Sequence, residues 1–456
     1  MRSFHMTAAA ATGLICLALS APASAHGYKV LYTFCANGGD CPDGANPSGG
    51  LVQDAAGNLY GVTVHGGSTS DCIQFCGYGV AYELERTGKG EYRYEVIYNF
   101  CTADDCTDGA DPGGSLIFDN TGDLYGITAF GGSGPGLGTI FELVPNGAQW
   151  TEHALYSFCP DGEDGCAALP GGGLTYKGAA SGKLYDGTSS LYGVASTESG
   201  GEFGPPGVAW KFQPGTGYQT IHTFGDPQGS DGSQPAAPLI EDSSGNLYGT
   251  TLEGGSRSEG GTVFELSPSH GAYSETILHA FCTNFDCSDG FEPEAGLVQD
   301  AAGNLYGTTL EGGVSCNAGG ELGCGVAFMI APNGTNSQET ILHDFCSSKH
   351  CADGGFPMAT LLGDSQGNFF GTAEFGGNKL SPYGGGVLFE LSGSSLRVLY
   401  KFCKGGVDYY NCPDGLYPGI GVIEDKKGRL FGASTYGGAG QTESFGGYGV
   451  VYEDTP

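Results

Sequence analysis

The sequence predicts an all-β protein, a seven-bladed β-propeller of four-stranded antiparallel blades, closed by an N-terminal strand that completes the last blade. Three observations support this prediction. A short motif recurs seven times, four strand-like segments recur in step with it, and the chain starts and stops at complementary phases of the repeat. No helical periodicity is visible after the first 25 residues.

The recurring motif is G-N-L-Y-G or a close relative of it. The eleven residues G-N-L-Y-G-T-T-L-E-G-G occur unchanged at 245–255 and at 303–313. The motif recurs with a period of about 60 residues, which indicates one supersecondary unit per copy. The closing glycines of the copies are Gly61, Gly126, Gly193, Gly249, Gly307, Gly371 and Gly432.

Each copy lies within a fixed order of four short segments. An apolar segment such as L-V-Q-D precedes the motif, a G-T-V-F-E-L segment follows it, and a T-I-L-H-A-F segment ends the unit. All are rich in Val, Ile, Tyr, Phe and Thr and are bounded by Gly, Asn, Asp or Pro, which is typical of β-strands. We call them the inner, second, third and outer strands.

The two ends of the repeat region fit together. The region begins with an outer-type strand, Y-K-V-L-Y-T-F at 28–34, and ends with a third-type strand, G-V-V-Y-E-D at 449–454. An outer strand from the start of the chain would complete the last blade and leave no open sheet edge between the first and last blades. We therefore predict one domain over 26–456, since radial repetition lets a long chain form a single domain.

The first 25 residues resemble a secretory signal peptide, with one positive charge, a short apolar run and a small-x-small ending, and cleavage is predicted after Ala25. No later run is long and apolar enough to cross a membrane. The formal net charge of −33 excludes the basic footprint that nucleic acids or anionic lipids require. We therefore expect a soluble, monomeric protein in the periplasm or outside the cell, without membrane insertion.

Sixteen cysteines follow the predicted signal peptide, and an even number in an oxidising compartment indicates disulfides. The economical interpretation is eight local pairs. All of these loops are predicted to emerge on one side of the propeller, which we call the disulfide face. The pairs are Cys35 with Cys41, Cys72 with Cys76, Cys101 with Cys106, Cys159 with Cys166, Cys282 with Cys287, Cys316 with Cys324, Cys346 with Cys351, and Cys403 with Cys412.

The segments G-N-L-Y-G-T-T-x-x-G-G, G-T-V-F-E-L and F-x-x-x-x-D-G-x-x-P together resemble the GloVer tandem repeat of bacterial choice-of-anchor exported proteins. The resemblance covers essentially the whole chain after the predicted signal peptide. It implies an exported protein of propeller type, in a family without an established activity. The chain lacks the hydrophobic C-terminal sorting tail of the anchored members, so surface attachment is not expected.

Two recurring patterns have both a functional and a structural interpretation. An Asp-Gly pair recurs in six units, beginning at Asp43, Asp108, Asp231, Asp289, Asp353 and Asp414. Its aspartates could ligate calcium or form Asx turns, and the regular recurrence favours the turn. His222, His279 and His343 occupy a strand position held elsewhere by Tyr, which favours packing over proton transfer. The spacing of Cys72 and Cys76 would also suit zinc, but no second cysteine pair lies near them in the sequence, so a disulfide is favoured. No metal and no cofactor are therefore expected.

The informative positions are those at which the surrounding motif is kept but the residue type changes from unit to unit. They lie just before the Gly-Gly that ends the second strand, on the disulfide face, where long loops on a rigid scaffold usually carry function. Aromatic rings mixed with carboxylates and a histidine suit a sugar or a peptide. The candidate ligand-binding residues are His65, Phe130, Glu253, Glu311, Glu374, Phe375 and Tyr436.

Three functions are open at this point. The preferred one is a non-enzymatic binding module for a glycan or a protein. The alternative is a carbohydrate-active or lactone-type enzyme with a carboxylate site at the channel mouth, in which Glu253, Glu311 and Glu374 would supply acid and base. A purely structural role is the third. No nucleophile elbow, phosphate-binding loop or dinucleotide fingerprint occurs, and catalytic residues cannot be named.

Overall fold

The structure is a computed structural model that describes residues 27–67, 77–88, 90–133, 137–147, 149–158, 169–196, 207–225, 231–255, 260–283, 286–314, 323–379, 384–404, 411–438 and 447–456. The predicted signal peptide at 1–25 lies outside these ranges. Within them the chain forms β-strands, turns and three short 3₁₀ helices, with no α-helix. Among these residues no helix is both long and apolar enough to span a membrane.

The strands assemble into antiparallel four-stranded units in the order inner, second, third, outer. The first three units are the following. Unit 1 contains β2 (Ala45–Gln53), β3 (Leu59–His65), β4 (Val80–Gly88) and β5 (Glu91–Asn99). Unit 2 contains β6 (Ala110–Phe118), β7 (Leu124–Phe130), β8 (Thr139–Asn146) and β9 (Gln149–Ser157). Unit 3 contains β10 (Leu169–Tyr176), β11 (Leu191–Ser196), β12 (Val208–Gln213) and β13 (Gly217–Thr223).

The next three units follow the same order but have inner strands of only two residues. Unit 4 contains β15 (Ile240–Glu241), β16 (Leu247–Thr251), β18 (Thr262–Ser269) and β19 (Ala272–Ala280). A short ribbon extends it, formed by β14 (Gly232–Ser233), which precedes β15, and β17 (Glu253–Gly254), which follows β16. Unit 5 contains β20 (Val298–Gln299), β21 (Leu305–Thr308), β22 (Val326–Ala331) and β23 (Gln338–Asp344). Unit 6 contains β24 (Leu362–Gly363), β25 (Asn368–Ala373), β26 (Val387–Ser392) and β27 (Ser395–Lys401).

Unit 7 joins the two ends of the chain. It contains β28 (Ile423–Glu424), β29 (Leu430–Ser434), β30 (Val450–Thr455) and, as its outer strand, β1 (Gly27–Thr33). Strands β1 and β30 pair antiparallel, with Tyr28 opposite Asp454 and Thr33 opposite Val450. The N-terminal strand therefore supplies the fourth strand of the last sheet.

Hydrophobic side chains fill the space between consecutive units. The cluster between units 1 and 2 contains Phe100, Leu116 and Phe141, all almost completely buried. Equivalent clusters lie between units 2 and 3, 3 and 4, 4 and 5, 5 and 6, and 6 and 7. The core is thus divided among the seams between sheets, because each sheet is apolar on both faces.

A further cluster brings the first and last units together. Leu51 and Tyr82 of unit 1 pack in it with Phe431 and Val451 of unit 7. Backbone packing follows the same seam, since a Cβ placed on Gly449 would lie 2.5 Å from Cδ of Pro47. Only glycine leaves room for such an approach.

The last glycine of each motif lies against an aromatic ring of the third strand. A Cβ on Gly307 would lie 2.7 Å from Cζ of Phe328 and 3.0 Å from Cδ2 of Leu297. The motif G-N-L-Y-G therefore ends in glycine because the ring occupies the place of a side chain. The same pairing recurs for Gly61 with Tyr82, Gly126 with Phe141, Gly193 with Trp210, Gly249 with Phe264, Gly371 with Phe389 and Gly432 with Tyr452.

The turn between inner and second strands is closed by a carboxylate. Oδ1 of Asp300 accepts hydrogen bonds from the backbone N–H groups of Ala302 (2.8 Å) and Asn304 (2.9 Å). Its Oδ2 accepts from Nδ2 of Asn304 (2.8 Å) and the hydroxyl of Tyr306 (3.0 Å). The equivalent turns use Asp54, Asp119, Asp242, Asp364 and Asp425. We call this side of the molecule the turn face.

One insertion departs from the common frame. Residues 177–190 lie between β10 and β11 and contain the 3₁₀ helix Ala179–Ser181. Tyr185 is completely buried, and its backbone N–H donates to the carbonyl of Phe118 at 2.9 Å. The insertion therefore docks onto the neighbouring unit at the turn face.

Five disulfides lie within the described residues, each in a loop from an outer strand to the next inner strand. Two of these loops contain the remaining 3₁₀ helices, Asp104–Cys106 and Lys349–Cys351. Disulfides indicate a compartment outside the reducing cytosol. They join Cys35 to Cys41, Cys101 to Cys106, Cys282 to Cys287, Cys346 to Cys351, and Cys403 to Cys412.

The other three expected pairs involve residues outside the described ranges. Cys72, Cys76, Cys159, Cys166 and Cys316 all fall there. Cys324 is described and is disulfide-bonded.

Candidate functional site

The predicted site residues occupy one recurring position at the end of the second strand. Each pairs with the residue that follows the Asp-Gly of the inner segment. The pairs are Ala45 with His65, Ala110 with Phe130, Ser233 with Glu253, Phe291 with Glu311, Gly355 with Phe375, and Leu416 with Tyr436. Glu374 directly precedes Phe375.

The disulfide loops contact this position directly. The second glycine after it donates its N–H to the carbonyl of the second cysteine of the loop, as Gly313 does to Cys287 and Gly377 does to Cys351. In unit 4, which has no cysteine pair, Gly255 donates to Asp231 instead. The cysteine loops and the variable side chains therefore lie on the same face.

A second recurring position, which the sequence did not reveal, lies beside the first. It is occupied by six non-glycine residues with left-handed backbone, each followed by proline. Such backbone is sterically unfavourable for residues other than glycine, and it persists where the surrounding structure imposes it, often at functional sites. These left-handed residues are Asn46 (φ 55°), Asp111 (53°), Gln234 (56°), Glu292 (54°), Phe356 (58°) and Tyr417 (54°).

Neighbouring units hold the left-handed residues in place. The backbone N–H of Asn46 donates to the carbonyl of Tyr448 at 2.8 Å, and that of Phe356 donates to the carbonyl of Cys324 at 2.8 Å. The following proline packs on a glycine of the preceding unit, as Pro357 does on Gly325. The recurring D-G-x-x-P pattern could have marked the position, because its residue before proline varies from Asn to Tyr, although the pattern does not indicate a left-handed backbone.

Carboxylates from units 4, 5 and 6 gather at this face. The pKa of Glu292 is raised by burial and then by the charges of Glu311, Glu294 and Glu253. Burial, followed by the charge of Glu294, raises the pKa of Glu374 to about 7. Burial also raises the pKa of Glu294 and of Glu311. We call these five residues the acidic group; Glu292 and Glu294 were not predicted from the sequence.

Aromatic rings from units 6 and 7 form a continuous row next to the acidic group. The ring centroids of Phe356 and Phe375 are 5.1 Å apart, those of Phe375 and Tyr417 are 5.2 Å apart, and those of Tyr417 and Tyr436 are 5.9 Å apart. All three contacts are edge-to-face, and all four side chains are partly exposed. We call these residues the aromatic group.

The acidic and aromatic groups meet in unit 6. The backbone N–H of Glu374 donates to the carbonyl of Phe356 at 3.1 Å, and Phe375 follows Glu374 in the chain. The structure thus brings Glu253, Glu311 and Glu374 into one electrostatically coupled group, and it connects Phe375 with Tyr436 through Tyr417.

His65 and Phe130 stand in units 1 and 2. Nδ1 of His65 lies 3.3 Å from Oδ1 of Asn46, and Nδ2 of Asn46 donates to the carbonyl of Thr435 at 3.1 Å. Burial lowers the pKa of His65, so the neutral ring is favoured. Phe130 is 45% exposed, which leaves its ring available to a ligand. These two residues occupy the same position in their units as the other candidates do.

The aspartate of the recurring Asp-Gly pair accepts hydrogen bonds from the far end of its loop and does not form the predicted Asx turn. We call it the clamp aspartate. Oδ2 of Asp43 accepts from the hydroxyl of Tyr32 (2.7 Å) and from the N–H of Cys35 (3.0 Å), eight residues earlier. Asp353 accepts in the same way from His343 (3.2 Å) and from the N–H of Ser347 (3.2 Å). The expected hydrogen bonds were therefore wrong, since the carboxylate closes the whole loop.

A groove of about 830 Å³ lies on the opposite side of the molecule. The insertion at 177–183 and the turns at 241–243 and 299–304 line it. The aromatic ring at its wall, Tyr248, is buried. The groove therefore offers polar turns without an exposed ring for stacking.

Three groups of side chains in the described residues have ligand atoms close enough to share a metal ion. Cys324, Cys346 and Cys351 form one, but all three sulfurs belong to disulfides and cannot act as thiolates. The other two are His222 with Asp231 and Glu275, and His279 with Asp289 and Glu339. Both lie on seams between units, apart from the acidic group.

Comparison with known proteins agrees with the repeat. The model of the Gloeobacter/Verrucomicrobia repeat matches residues 19–190 and 186–445. Comparison with curated proteins gave no match. Among solved structures, a protein of unknown function from Dyadobacter fermentans has a TM-score of 0.39 and 10% identity, with 94% of this chain and 96% of that chain covered.

A second solved structure is the α-L-arabinanase of Penicillium chrysogenum complexed with arabinobiose. Its TM-score is 0.42 at 11% identity, with 95% of this chain and 98% of that chain covered. The repeat model, in contrast, matches in sequence and spans nearly the whole chain. The protein therefore belongs to the Gloeobacter/Verrucomicrobia repeat family.

Proposed function

We propose that the units close into a seven-bladed β-propeller and that the mature protein is an exported, monomeric binding module. Closure is supported by the N-terminal strand in the last sheet and by the shared core of units 1 and 7. Export is supported by the disulfides, together with the signal-like segment at 1–25.

The proposed ligand is an uncharged or amino-sugar oligosaccharide, bound on the disulfide face without chemical change. The observation that supports it best is the partly exposed aromatic group lying directly beside the acidic group. Aromatic faces stack on the apolar faces of sugar rings, and carboxylates accept hydrogen bonds from sugar hydroxyls. The net charge of −33 disfavours anionic polysaccharides.

The rigidity of the site suits recognition. The left-handed residues Phe356 and Tyr417 are each followed by a proline that packs on a glycine of the preceding unit, and the N–H of Phe356 also donates to the carbonyl of Cys324, so the backbone that carries the two rings is fixed before a ligand arrives. Preorganised rings lose little conformational entropy on binding. Affinity for a weakly polar ligand is thereby increased.

The test is an array of uncharged and amino-sugar oligosaccharides probed with the mature protein, followed by calorimetry on the best binder. Phe375→Ala and Tyr417→Ala are each expected to weaken binding about tenfold, which corresponds to about 1.4 kcal/mol. Leu184→Ala is the control, because Leu184 is exposed on the insertion at the turn face. Failure of every oligosaccharide to bind, with capture of a protein partner that Phe375→Ala abolishes, would overturn the glycan proposal.

A carbohydrate-active enzyme is the second candidate, and one observation favours it. Glu374 has a pKa raised to about 7, beside Glu294, and a carboxyl group with such a pKa can donate a proton at neutral pH. The binding proposal predicts no release of reducing ends from the bound oligosaccharide. If reducing ends appear and Glu374→Gln abolishes their release without weakening binding, the protein is a hydrolase.

A further inference from the structure

A recurring contact crosses the seam between consecutive units at the outer strand. On one side are the clamp aspartate and the Tyr or His that lies beside it. On the other side is a residue of the outer strand of the next unit, four positions before the Tyr or His of that strand. In two of the seams the three residues are His, Asp and Glu. Three other seams place a tyrosine at the third position, where Tyr94, Tyr218 and Tyr28 each stack on the tyrosine of the preceding outer strand. The remaining two seams carry Glu152 and Leu396 there.

The two His–Asp–Glu sets have the same geometry. Nε2 of His222 lies 3.6 Å from Oδ2 of Asp231 and 3.5 Å from Oε1 of Glu275. The second set repeats these values, with His279 at 3.6 Å from Asp289 and 3.5 Å from Glu339. In each set all ligand atoms lie within 4.8 Å of one another.

These separations fit ligands of a common ion better than hydrogen bonds. A polar contact of 3.6 Å is too long for a hydrogen bond. Ligand atoms about 2.0 to 2.2 Å from a tetrahedral zinc ion lie roughly 3.4 Å from one another. Imidazole nitrogen with two carboxylate oxygens is also a ligand set that zinc accepts.

Buried polar atoms without hydrogen-bond partners point into the first set. Nε2 of His222, Oδ1 of Asp231 and Oε1 of Glu275 are all buried and unpartnered, and the side chain of Asp231 is only 9% exposed. In the second set Nε2 of His279 is likewise buried without a partner, and Oε1 of Glu339, the other oxygen of the carboxylate whose Oε2 faces His279, is also unpartnered. Unpaired buried polar atoms are costly and require an explanation.

A third seam provides an internal comparison. His343 and Asp353 form the same pair there, but the next outer strand carries Leu396 in place of glutamate. In that seam Nε2 of His343 lies 3.2 Å from Oδ2 of Asp353, within hydrogen-bonding distance. The distance from His Nε2 to Asp Oδ2 is therefore longer in the two seams that also contain the glutamate.

We propose that His222, Asp231 and Glu275, and independently His279, Asp289 and Glu339, each bind one divalent transition-metal ion, with zinc as the best-suited ion. A fourth position is left for water. Each site would join two units through three side chains, and the sites do not involve the proposed glycan-binding residues. This proposal differs from the sequence-based expectation of no metal.

Burial gives each site a reason to accept a cation. The side chains of Glu275 and Glu339 are only 16% and 12% exposed. Buried carboxylates require a compensating partner, and a bound cation would supply one.

The experiment uses tag-free mature protein, stripped with a chelator, loaded with zinc chloride and passed through gel filtration before elemental analysis. About two zinc ions per chain are expected. Glu275→Leu and Glu339→Leu, which copy Leu396, should each remove about one ion, and the double variant should remove both. His343→Tyr, which copies the tyrosines of other units, is the control and should retain two.

The melting temperature of each variant identifies any that fails to fold. His222→Tyr and His279→Tyr then replace the leucine variants, since tyrosine occupies this position in other units. Zinc below about 0.2 ions per chain in the folded wild-type protein would overturn the proposal. Zinc that is retained by the double variant would overturn it as well.

Discussion

The turn face and the disulfide face use carboxylates in opposite ways. On the turn face, burial alone would raise the pKa of Asp300, but hydrogen bonds from Asn304, Tyr306 and Ala302 lower it below its usual range. On the disulfide face, burial raises the pKa of Glu294 and Glu374. The first kind of carboxylate stabilises the fold, and the second is a cost that a ligand can offset.

The two faces also differ in what the repeat preserves. The turn aspartate and its bonds recur in six units, whereas the position before Gly-Gly keeps only its backbone pairing and changes from His to Phe, Glu and Tyr. The recurring turn aspartates therefore serve folding, and the variable side chains on the disulfide face are free to serve recognition. The predictions below test this separation.

The largest loss of stability is expected from a substitution of the glycine that ends the repeat motif. Gly307→Ala should destabilise the protein by about 3 kcal/mol, because the new methyl group would overlap the ring of Phe328 and the core can yield only in part. Denaturant unfolding measures the loss. Gly113→Ala is the matched control in an inner strand, since a Cβ there meets no atom within 4 Å. Equal losses in the two variants would contradict the packing explanation.

Removing a turn carboxylate should destabilise the protein less than Gly307→Ala does. Asp300→Ala should lower the free energy of unfolding by about 2 kcal/mol at pH 7, because the backbone and side-chain donors around it lose their acceptor. The pKa of Asp300 is lowered on folding, so its stabilisation is present above about pH 4 and is lost as the pH falls further. A difference from wild type that persists unchanged at pH 2 would contradict this account.

Glu152, which lies near the clamp aspartate Asp108, should make the stability of the protein depend on pH in the opposite direction. Burial, followed by the charge of Asp108, raises the pKa of Glu152 to about 8. The folded state therefore retains a proton that the unfolded state releases, and stability falls as the pH rises from about 4.5 to about 8. Glu152→Gln should remove this decline and gain about 1 kcal/mol at pH 9, after allowance for solvent screening. Parallel stability curves for the two proteins would contradict the assignment.

Much of the fold could be predicted because local patterns determine it. The order of the four strands and the placement of β1 beside β30 follow from the phase of the repeat. The lengths of the inner strands did not follow. Val298–Gln299 forms only two residues of strand, whereas Ala45–Gln53 forms nine, and both segments carry the same L-V-Q-D pattern.

The site could be predicted only in part, because it combines positions distant in sequence. Glu311 and Phe375 were found from the varied letters before Gly-Gly, but their neighbours Glu292 and Phe356 lie about 20 residues earlier and reach them only through strand pairing. A residue before proline is also expected to be extended, so the left-handed backbone of Phe356 had no local signal. The partners of the clamp Asp353 depend on loop closure in the same way.

The separation of the two faces is tested most directly by measuring melting temperature and oligosaccharide affinity on the same two variants, Asp300→Ala and Phe375→Ala. Asp300→Ala should lower the melting temperature and bind with unchanged affinity. Phe375→Ala should keep the melting temperature and bind about tenfold more weakly. If stability and affinity fall together in both variants, the two faces do not have separate roles and the account is wrong.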